Sequence, residues 1–298
     1  MKFNLITILG PTATGKTKLA VQLADCFNGE IISADSRQVY RGMNIGTGKD
    51  LSEYSINGRQ IPYHLIDIID PTEEFNLFSF QQNFYKSFDE IKSKNKTPFL
   101  VGGTGMYLSS VLQKYTLGKA DFEKEKQILS SYSDDELRYI LKDLNPTLHN
   151  TTDLNDRERI IKAIAVSKTE QEKTGDQNID SLVIGINLSR DEIKKRITAR
   201  LKKRLDEEGM IDEVKTLMDS GVSYDKMIFF GLEYKFIAQY LIGELNKNDM
   251  FQKLNSAIHS FAKRQMTWFR KMEKEGVVIN WIDGPDFNKA KEIVGEYF

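Results

Sequence analysis

Across 298 residues the chain carries one cysteine, three histidines, six prolines and two tryptophans. With a single thiol, Cys26, no internal disulfide can form and no cysteine-rich zinc site can be assembled, which fits a reducing compartment. Cys26 follows Leu23 and Ala24 in a predicted helix and is expected as a small buried hydrophobe. An excess of one charge sign is also missing. Lys and Arg number 42 and Asp and Glu 43, for a formal net charge of −1. Bulk charge therefore selects no partner, and a nucleic-acid surface has to come from local clustering. No stretch approaches the ~20 apolar residues that span a bilayer. The apolar opening, residues 1–9, is too short for a signal peptide and runs into a glycine loop. A cytoplasmic protein without membrane contact is expected. No repeats or low-complexity tracts are present. The 40% hydrophobic content suffices for one large domain, or a core domain with a smaller insert.

What is there reads as strand alternating with helix. Residues 3–9 form an apolar strand, followed by a glycine loop at 10–17 and a helix with Leu19, Ala20, Leu23 and Ala24 on one face. Further strands are expected at 31–34, 64–69 and 98–101, with helices at 80–92 and 106–112. This alternation predicts an α/β fold with a mostly parallel sheet covered on both faces. After about residue 115 the pattern changes. Residues 121–173 are charge-rich, lack a convincing strand and suggest amphipathic helices starting near Ser133-Asp134 and Asn155-Asp156. Residues 181–187 return as a core strand. The expected division is an α/β core, 1–115 and 180–298, with a helical insertion at 116–179 and a polar hinge or loop at 173–178. Two long helices, about 190–219 and 250–275, and a short strand at 277–281 complete the chain.

Gly10-Pro11-Thr12-Ala13-Thr14-Gly15-Lys16-Thr17 matches G-x-x-x-x-G-K-[ST] between a strand and a helix. The glycines let backbone amides turn inward around an anion, and the helix N-terminus adds positive potential. Lys16 brings a charge to the phosphates and Thr17 a hydroxyl for Mg²⁺. The loop specifies a phosphate chain without saying which. Asp35 falls just past the second strand, expected beside the first, at the sheet edge where ligands bind. It can be a base, a Mg²⁺ ligand or a helix cap. Gly102-Gly103-Thr104-Gly105 ends the fourth strand at the same edge, as a site loop or a tight turn. Arg196, Arg200 and Arg204 share a helix face bordering that of Ile193, Ile197, Leu201 and Leu205, which aims guanidinium groups at a cleft or leaves them solvated. Lys263, Arg264, Arg270 and Lys271, with Trp268 and Phe269 interleaved, suit either an RNA contact or core packing. His64 and His259 read as structural, and no role is assigned to His149.

Together these segments resemble the tRNA dimethylallyltransferase (tRNA isopentenyltransferase) family, bacterial type. The strings that carry the resemblance are residues 10–17 and Ile-Ser-Ala-Asp-Ser-Arg-Gln-Val-Tyr-Arg-Gly-Met at 32–43. They continue with Asn-Ile-Gly-Thr-Gly-Lys at 44–49, His-Leu-Ile-Asp at 64–67, Val-Gly-Gly-Thr-Gly-Met-Tyr-Leu at 101–108 and Ala-Lys-Arg-Gln-Met-Thr-Trp-Phe-Arg at 262–270. The resemblance implies a P-loop NTPase-like core whose loop, Gly10, Pro11, Thr12, Ala13, Thr14, Gly15, Lys16 and Thr17, holds the diphosphate of dimethylallyl diphosphate. It implies Asp35 as the base at the target adenine and Arg200 at the diphosphate. It also implies tRNA contacts from Asp35, Ser36, Arg37, Gln38 and Thr104, and from Glu158, Arg159, Ile160, Ile161 and Lys162. The expected cofactor is Mg²⁺, and the expected partner is the anticodon arm of a tRNA, clamped by the insertion and bound by a monomer. The chain departs from the usual pattern at Lys162, where arginine is common, at Ala165, where glutamate is common, and at Gly231-Leu232-Glu233-Tyr234-Lys235. It also carries one extra residue between Arg196 and Gly209. Other uses of the same loop are a kinase, a free-adenylate prenyltransferase and a non-catalytic RNA-binding protein.

Overall fold

Strands whose residues are apolar on both faces have no wet side, so they settle in the middle of a parallel sheet. Largely apolar runs form β1 (Leu5–Leu9), β2 (Gly29–Ala34), β6 (Thr97–Gly102) and β7 (Ser181–Asn187), all almost wholly buried, with Glu30 of β2 paired to His64 and Lys96. The computed structural model describes residues 2–118, 120, 122–144, 154, 156–168 and 178–298. The chain divides into two units, Met1–Lys114 with Asn178–Phe298, and Tyr115–Gln177.

In the first unit six strands run parallel in the order β5-β2-β6-β1-β7-β8, with β5 at Tyr63–His64 and β8 at Ile279–Asp283. Alternation sorts the side chains to two faces. Ile6, Ile8, Ile31 and Phe99 pack under α1 (Lys16–Cys26) and α12 (Phe287–Gly295). Leu5, Leu9, Ile32 and Leu100 pack under α2 (Leu77–Ser93), α3 (Gly105–Leu112) and the end of α11 (Lys247–Lys274). A third cluster joins α7 (Arg190–Asp206), α8 (Met210–Asp219), α9 (Tyr224–Phe230), α10 (Leu232–Leu241) and the first half of α11.

Several expectations are corrected. The strand carrying Asp35 does not lie beside the P-loop strand, because β6 sits between them. Gly102 is in register with Leu9 on one side and Ala34 on the other, and a side chain there would run into the Ala34 backbone. The helix expected over 190–219 is two helices, because Gly209 at φ 78° turns the chain left-handed. The strand expected over 64–69 stops at His64, because Leu65 and Asp67 adopt positive φ and the Asp67 carboxylate turns to the Lys49 ammonium. Cys26 is exposed, since it ends α1 beyond the buried Leu23 and Ala24. Unanticipated elements are α9, α10, α12 and a hairpin of β3 (Ser55–Ile56) and β4 (Arg59–Gln60).

The second unit holds α4 (Phe122–Ile128), α5 (Asp134–Leu144) and α6 (Arg157–Lys168). A reciprocal cap starts α5: the Ser133 amide donates to Glu136 Oε2 at 2.7 Å and the Glu136 amide to Ser133 Oγ at 3.4 Å. Asp156 caps α6 by accepting from the Arg159 amide at 2.9 Å. Leu129, Leu137, Leu141, Ile160, Ile161 and Ile164 form the core. Ile160 and Ile161 therefore cannot present side chains to RNA, and the exposed face of α6 offers Glu158, Arg159 and Lys162 instead. Asn155, His149 and the hinge residues 173–177 lie outside the described residues. Among the described residues no helix is long and apolar enough to cross a membrane.

Candidate active site

The glycine loop leaves β1 and is shaped by two left-handed residues, Ala13 at φ 65° and Gly15 at φ 84°, the second heading α1. Pro11 O accepts from both Thr14 Oγ1 and Lys16 Nζ at 2.8 Å. The Thr14 hydroxyl is thus consumed within the loop. Lys16 instead sits over the loop with its proton loosely held. Burial, with Arg200 adding repulsion, pushes its pKa from 10.5 down to about 8, while Asp35 opposes the shift. Arg200 reaches in from α7 and donates to Thr12 Oγ1 at 2.6 Å. Burial, followed by the neighbouring Arg204, lowers Arg200 to about 10. Lys16 and Arg200 repel each other across the loop, and an anion bound there would relieve that repulsion.

Across β6 stands Asp35. Its Oδ1 accepts from the Arg37 amide at 2.8 Å and the Gln38 amide at 3.3 Å, so it caps the turn that follows. Its Oδ2 has no hydrogen-bond partner among the described residues, and the residue lines the cleft. The capping role and an open carboxylate oxygen coexist in one side chain. Thr104, at the end of β6, accepts from the Ser36 amide at 3.1 Å and steadies the same turn. Arg37 lines the cleft and is held there by α9: Nε and one terminal nitrogen donate at 2.9 Å to the carbonyls of Phe230 and Phe229, closing the end of that helix. Gln38 is also engaged at both ends, with Ser33 Oγ at 2.9 Å and Gly48 O at 3.1 Å. The P-loop, Asp35, Thr104 and Arg200 thus line one cleft of about 370 Å³, together with Thr17, Arg204 and Glu233. Burial raises the Glu233 carboxyl above its usual range, against the pull of Arg204 and Arg200. Of the three striped arginines, Arg200 and Arg204 turn inward, whereas Arg196 pairs with Glu192 at 2.7 Å on the surface.

Sequence reasoning did not single out Glu213 or Asp50 among the residues that hold the cleft's walls. Glu213 of α8 accepts from three consecutive amides, Asn44, Ile45 and Gly46, at 2.8, 2.7 and 3.0 Å, and from the Tyr234 hydroxyl at 2.8 Å. Lys49, 1% exposed, donates to Tyr40 O at 2.7 Å and pairs with Asp67. Arg204 reaches Asp50 at 3.2 Å. These contacts explain the 44–49 string as a clamped wall. Their partners are distant in sequence, so no local pattern announces them. Glu213→Ala leaves those amides and the buried Tyr234 hydroxyl without an acceptor and is expected to cost about 2–4 kcal/mol, read by denaturant unfolding. An unchanged midpoint would show that the wall does not depend on Glu213.

Comparison with known proteins places this geometry. The model of the IPP transferase family matches residues 38–272, and that of isopentenyl transferases residues 3–67. The chain is 54% identical over 302 residues to tRNA dimethylallyltransferase 1 of Geotalea uraniireducens, covering 99% of this chain and 98% of that protein. The chain belongs to the tRNA dimethylallyltransferase family. It is also 48% identical to tRNA dimethylallyltransferase 2 of Phocaeicola vulgatus, over 98% of this chain and 97% of the other. The crystal structure of the tRNA isopentenylpyrophosphate transferase of Bacillus halodurans matches with TM-score 0.70 and 35% identity, covering 99% of this chain and 95% of that one. A eukaryotic dimethylallyltransferase acting on tRNA shares the fold at TM-score 0.76 and 24% identity, over 99% of this chain and 77% of that one. The α/β core with its parallel sheet is the fold of this family, as the sequence resemblance implied.

Proposed function

We propose that the protein transfers the dimethylallyl group of dimethylallyl diphosphate to N6 of the adenosine that lies 3′ of the anticodon in tRNA, position 37, releasing diphosphate. The observation that carries this reading is a phosphate loop and a half-free carboxylate facing one cleft across a single strand, in a chain of this family. The amine nitrogen forms the new C–N bond as the C–O bond to diphosphate breaks and the leaving group takes the electron pair. The amine becomes acidic only as that bond forms, so Asp35 Oδ2 accepts its proton late. Lys16, Arg200 and the loop amides meet the charge that develops on the diphosphate. Among the described residues no cluster of His, Cys, Asp or Glu is built to hold a metal by itself. A Mg²⁺ held by the Thr17 hydroxyl and the donor's own phosphate oxygens fits that donor set, since Mg²⁺ takes few protein ligands. It would supply charge neutralisation at the leaving group.

A stacked base cannot reach Asp35, so the adenine must be flipped into the cleft. The exposed Arg159 and Lys162 of the helical unit offer phosphate contacts, and we assign to this unit the grip on the anticodon arm. A reaction on tRNA also fits a cytoplasmic enzyme. The deciding experiment incubates unmodified tRNA with protein, dimethylallyl diphosphate and Mg²⁺ and analyses the nucleosides by mass. A gain of one dimethylallyl group on adenosine is expected, and γ-phosphate transfer from ATP in its place would overturn the reading. An anticodon stem-loop should be a far better acceptor than AMP, and its binding should weaken as salt rises because phosphate contacts release counterions. Equal turnover of AMP and stem-loop would reject the tRNA acceptor.

A further inference from the structure

Because β6 separates β1 from β2, the donor side and the acceptor side of the cleft stand two strand spacings apart, about 10 Å. One side chain ties the loops that bound this gap. Gln265, 6% exposed, accepts from the Thr12 amide through Oε1 at 2.8 Å and donates through Nε2 to Gly103 O at 2.9 Å. Thr12 belongs to the phosphate loop. Gly103 adjoins Thr104, which holds the Ser36 amide next to Asp35. A continuous path therefore runs Thr12–Gln265–Gly103–Thr104–Ser36–Asp35. Gly103 has no room for a side chain, since one would strike the Gln265 amide and come within 3.3 Å of Gly10 O.

The helix that carries Gln265 is well suited to act as a fixed reference. α11 runs for 28 residues and is anchored in two cores. Leu254, Ile258 and Ala262 pack among the helices, and Phe269 and Met272 pack under the sheet. Gln265 lies between these anchors. One turn on, the Trp268 indole donates to Ser109 Oγ at 2.8 Å, fixing the helix that starts from the Gly103–Thr104 turn. The Thr12 amide is already committed to Gln265, so the diphosphate falls to the later amides of the loop. Gln265 thus sets where the loop stands without competing for its ligand.

We propose that Gln265 is a positioning residue that fixes the distance between the diphosphate loop and the Asp35 turn, so that its loss slows prenyl transfer far more than it weakens either substrate. The proposal rests on the prenyl-transfer reading above. Reaction requires the amine and the prenyl carbon within about 3–3.5 Å, and a misplacement of about 1 Å costs on the order of 10²-fold in rate.

Gln265→Met keeps the volume and removes both hydrogen bonds. Affinities for inorganic pyrophosphate with Mg²⁺ and for an anticodon stem-loop are measured by calorimetry, and the single-turnover transfer rate on prebound stem-loop is measured well below the melting temperature. Both affinities are expected to stay within about threefold of wild type, while the rate falls by ~30–100-fold. Gln265→Glu keeps the acceptor for Thr12 and donates to Gly103 O only when protonated. Its rate, divided by that of wild type at each pH, should recover as pH falls, which a loss of general stability would not produce. This variant carries the test if the methionine protein does not fold. A pyrophosphate affinity that falls in step with the rate, or a lowered melting temperature with an unchanged rate, overturns the proposal. Equal rates in wild type and variants overturn it alone, whereas a wild type that transfers no prenyl group overturns the reading beneath it.

Discussion

Asp35→Asn is expected to slow prenyl transfer by ~10²–10⁴ while leaving both donor affinity and stability close to wild type. The two carboxylate oxygens have separate tasks, and the substitution divides them. Oδ1 accepts from the Arg37 and Gln38 amides and holds the turn. An asparagine oxygen does this nearly as well. Oδ2 is the oxygen left for the amine proton, and asparagine puts an amide nitrogen there, which cannot accept it. The diphosphate is held across β6, by Lys16, Arg200 and the loop amides, so its binding should not register the change. Single-turnover kinetics on prebound tRNA, with donor affinity measured separately, distinguish the roles the sequence left open. A rate near wild type would show that Asp35 is only a cap. A fall in donor affinity parallel to the rate would mark it as a Mg²⁺ ligand.

The core of this site was legible in the sequence because its parts are local. The P-loop is eight consecutive residues whose glycine and lysine positions follow from anion binding, and β1 and β7 are short, largely apolar runs. What was misread depends on distant partners. Residues 64–69 look like a strand, yet Asp67 leaves the pleat to meet Lys49, 18 positions earlier. Arg37 lines the cleft, but no local pattern shows that two of its nitrogens are held by carbonyls about 190 residues on, at the end of α9. Gln265 was visible as a letter in a string. Only the sheet order, with β6 inserted between the donor and acceptor strands, gives it a gap to span. One miss was local. The break after α7 carries its own signal, the glycine at 209, and a stricter reading of helix stops would have placed it.

The second large effect is expected at Lys16, where stability and activity should move in opposite directions. Lys16 titrates near 10.5 when free and at about 8 in the fold, chiefly because it is buried and secondarily because Arg200 is close. Below pH 8 both folded and unfolded chains carry the proton, and the fold bears the full cost of the buried charge. Between about pH 8 and 10.5 the unfolded chain keeps the proton while the folded one releases it, so the stability contributed here rises with pH across that window and levels off above it. Lys16→Met removes the cost. Its melting temperature should exceed that of wild type at pH 7, and the difference should vanish above pH 10.5. The same substitution should lower donor affinity and turnover together, by ~10²–10³ in kcat/KM, because the ammonium binds the diphosphate in the ground state and meets still more charge on it in the transition state. A bound diphosphate supplies the missing anion and raises the Lys16 pKa, so binding at pH 8.5 takes up protons and affinity declines as pH climbs above 8. Pyrophosphate titrations in two buffers of different ionisation enthalpy measure that uptake directly. Identical heats in both buffers, together with an unchanged melting temperature in Lys16→Met, would show that the Lys16 charge is not under strain in the free protein.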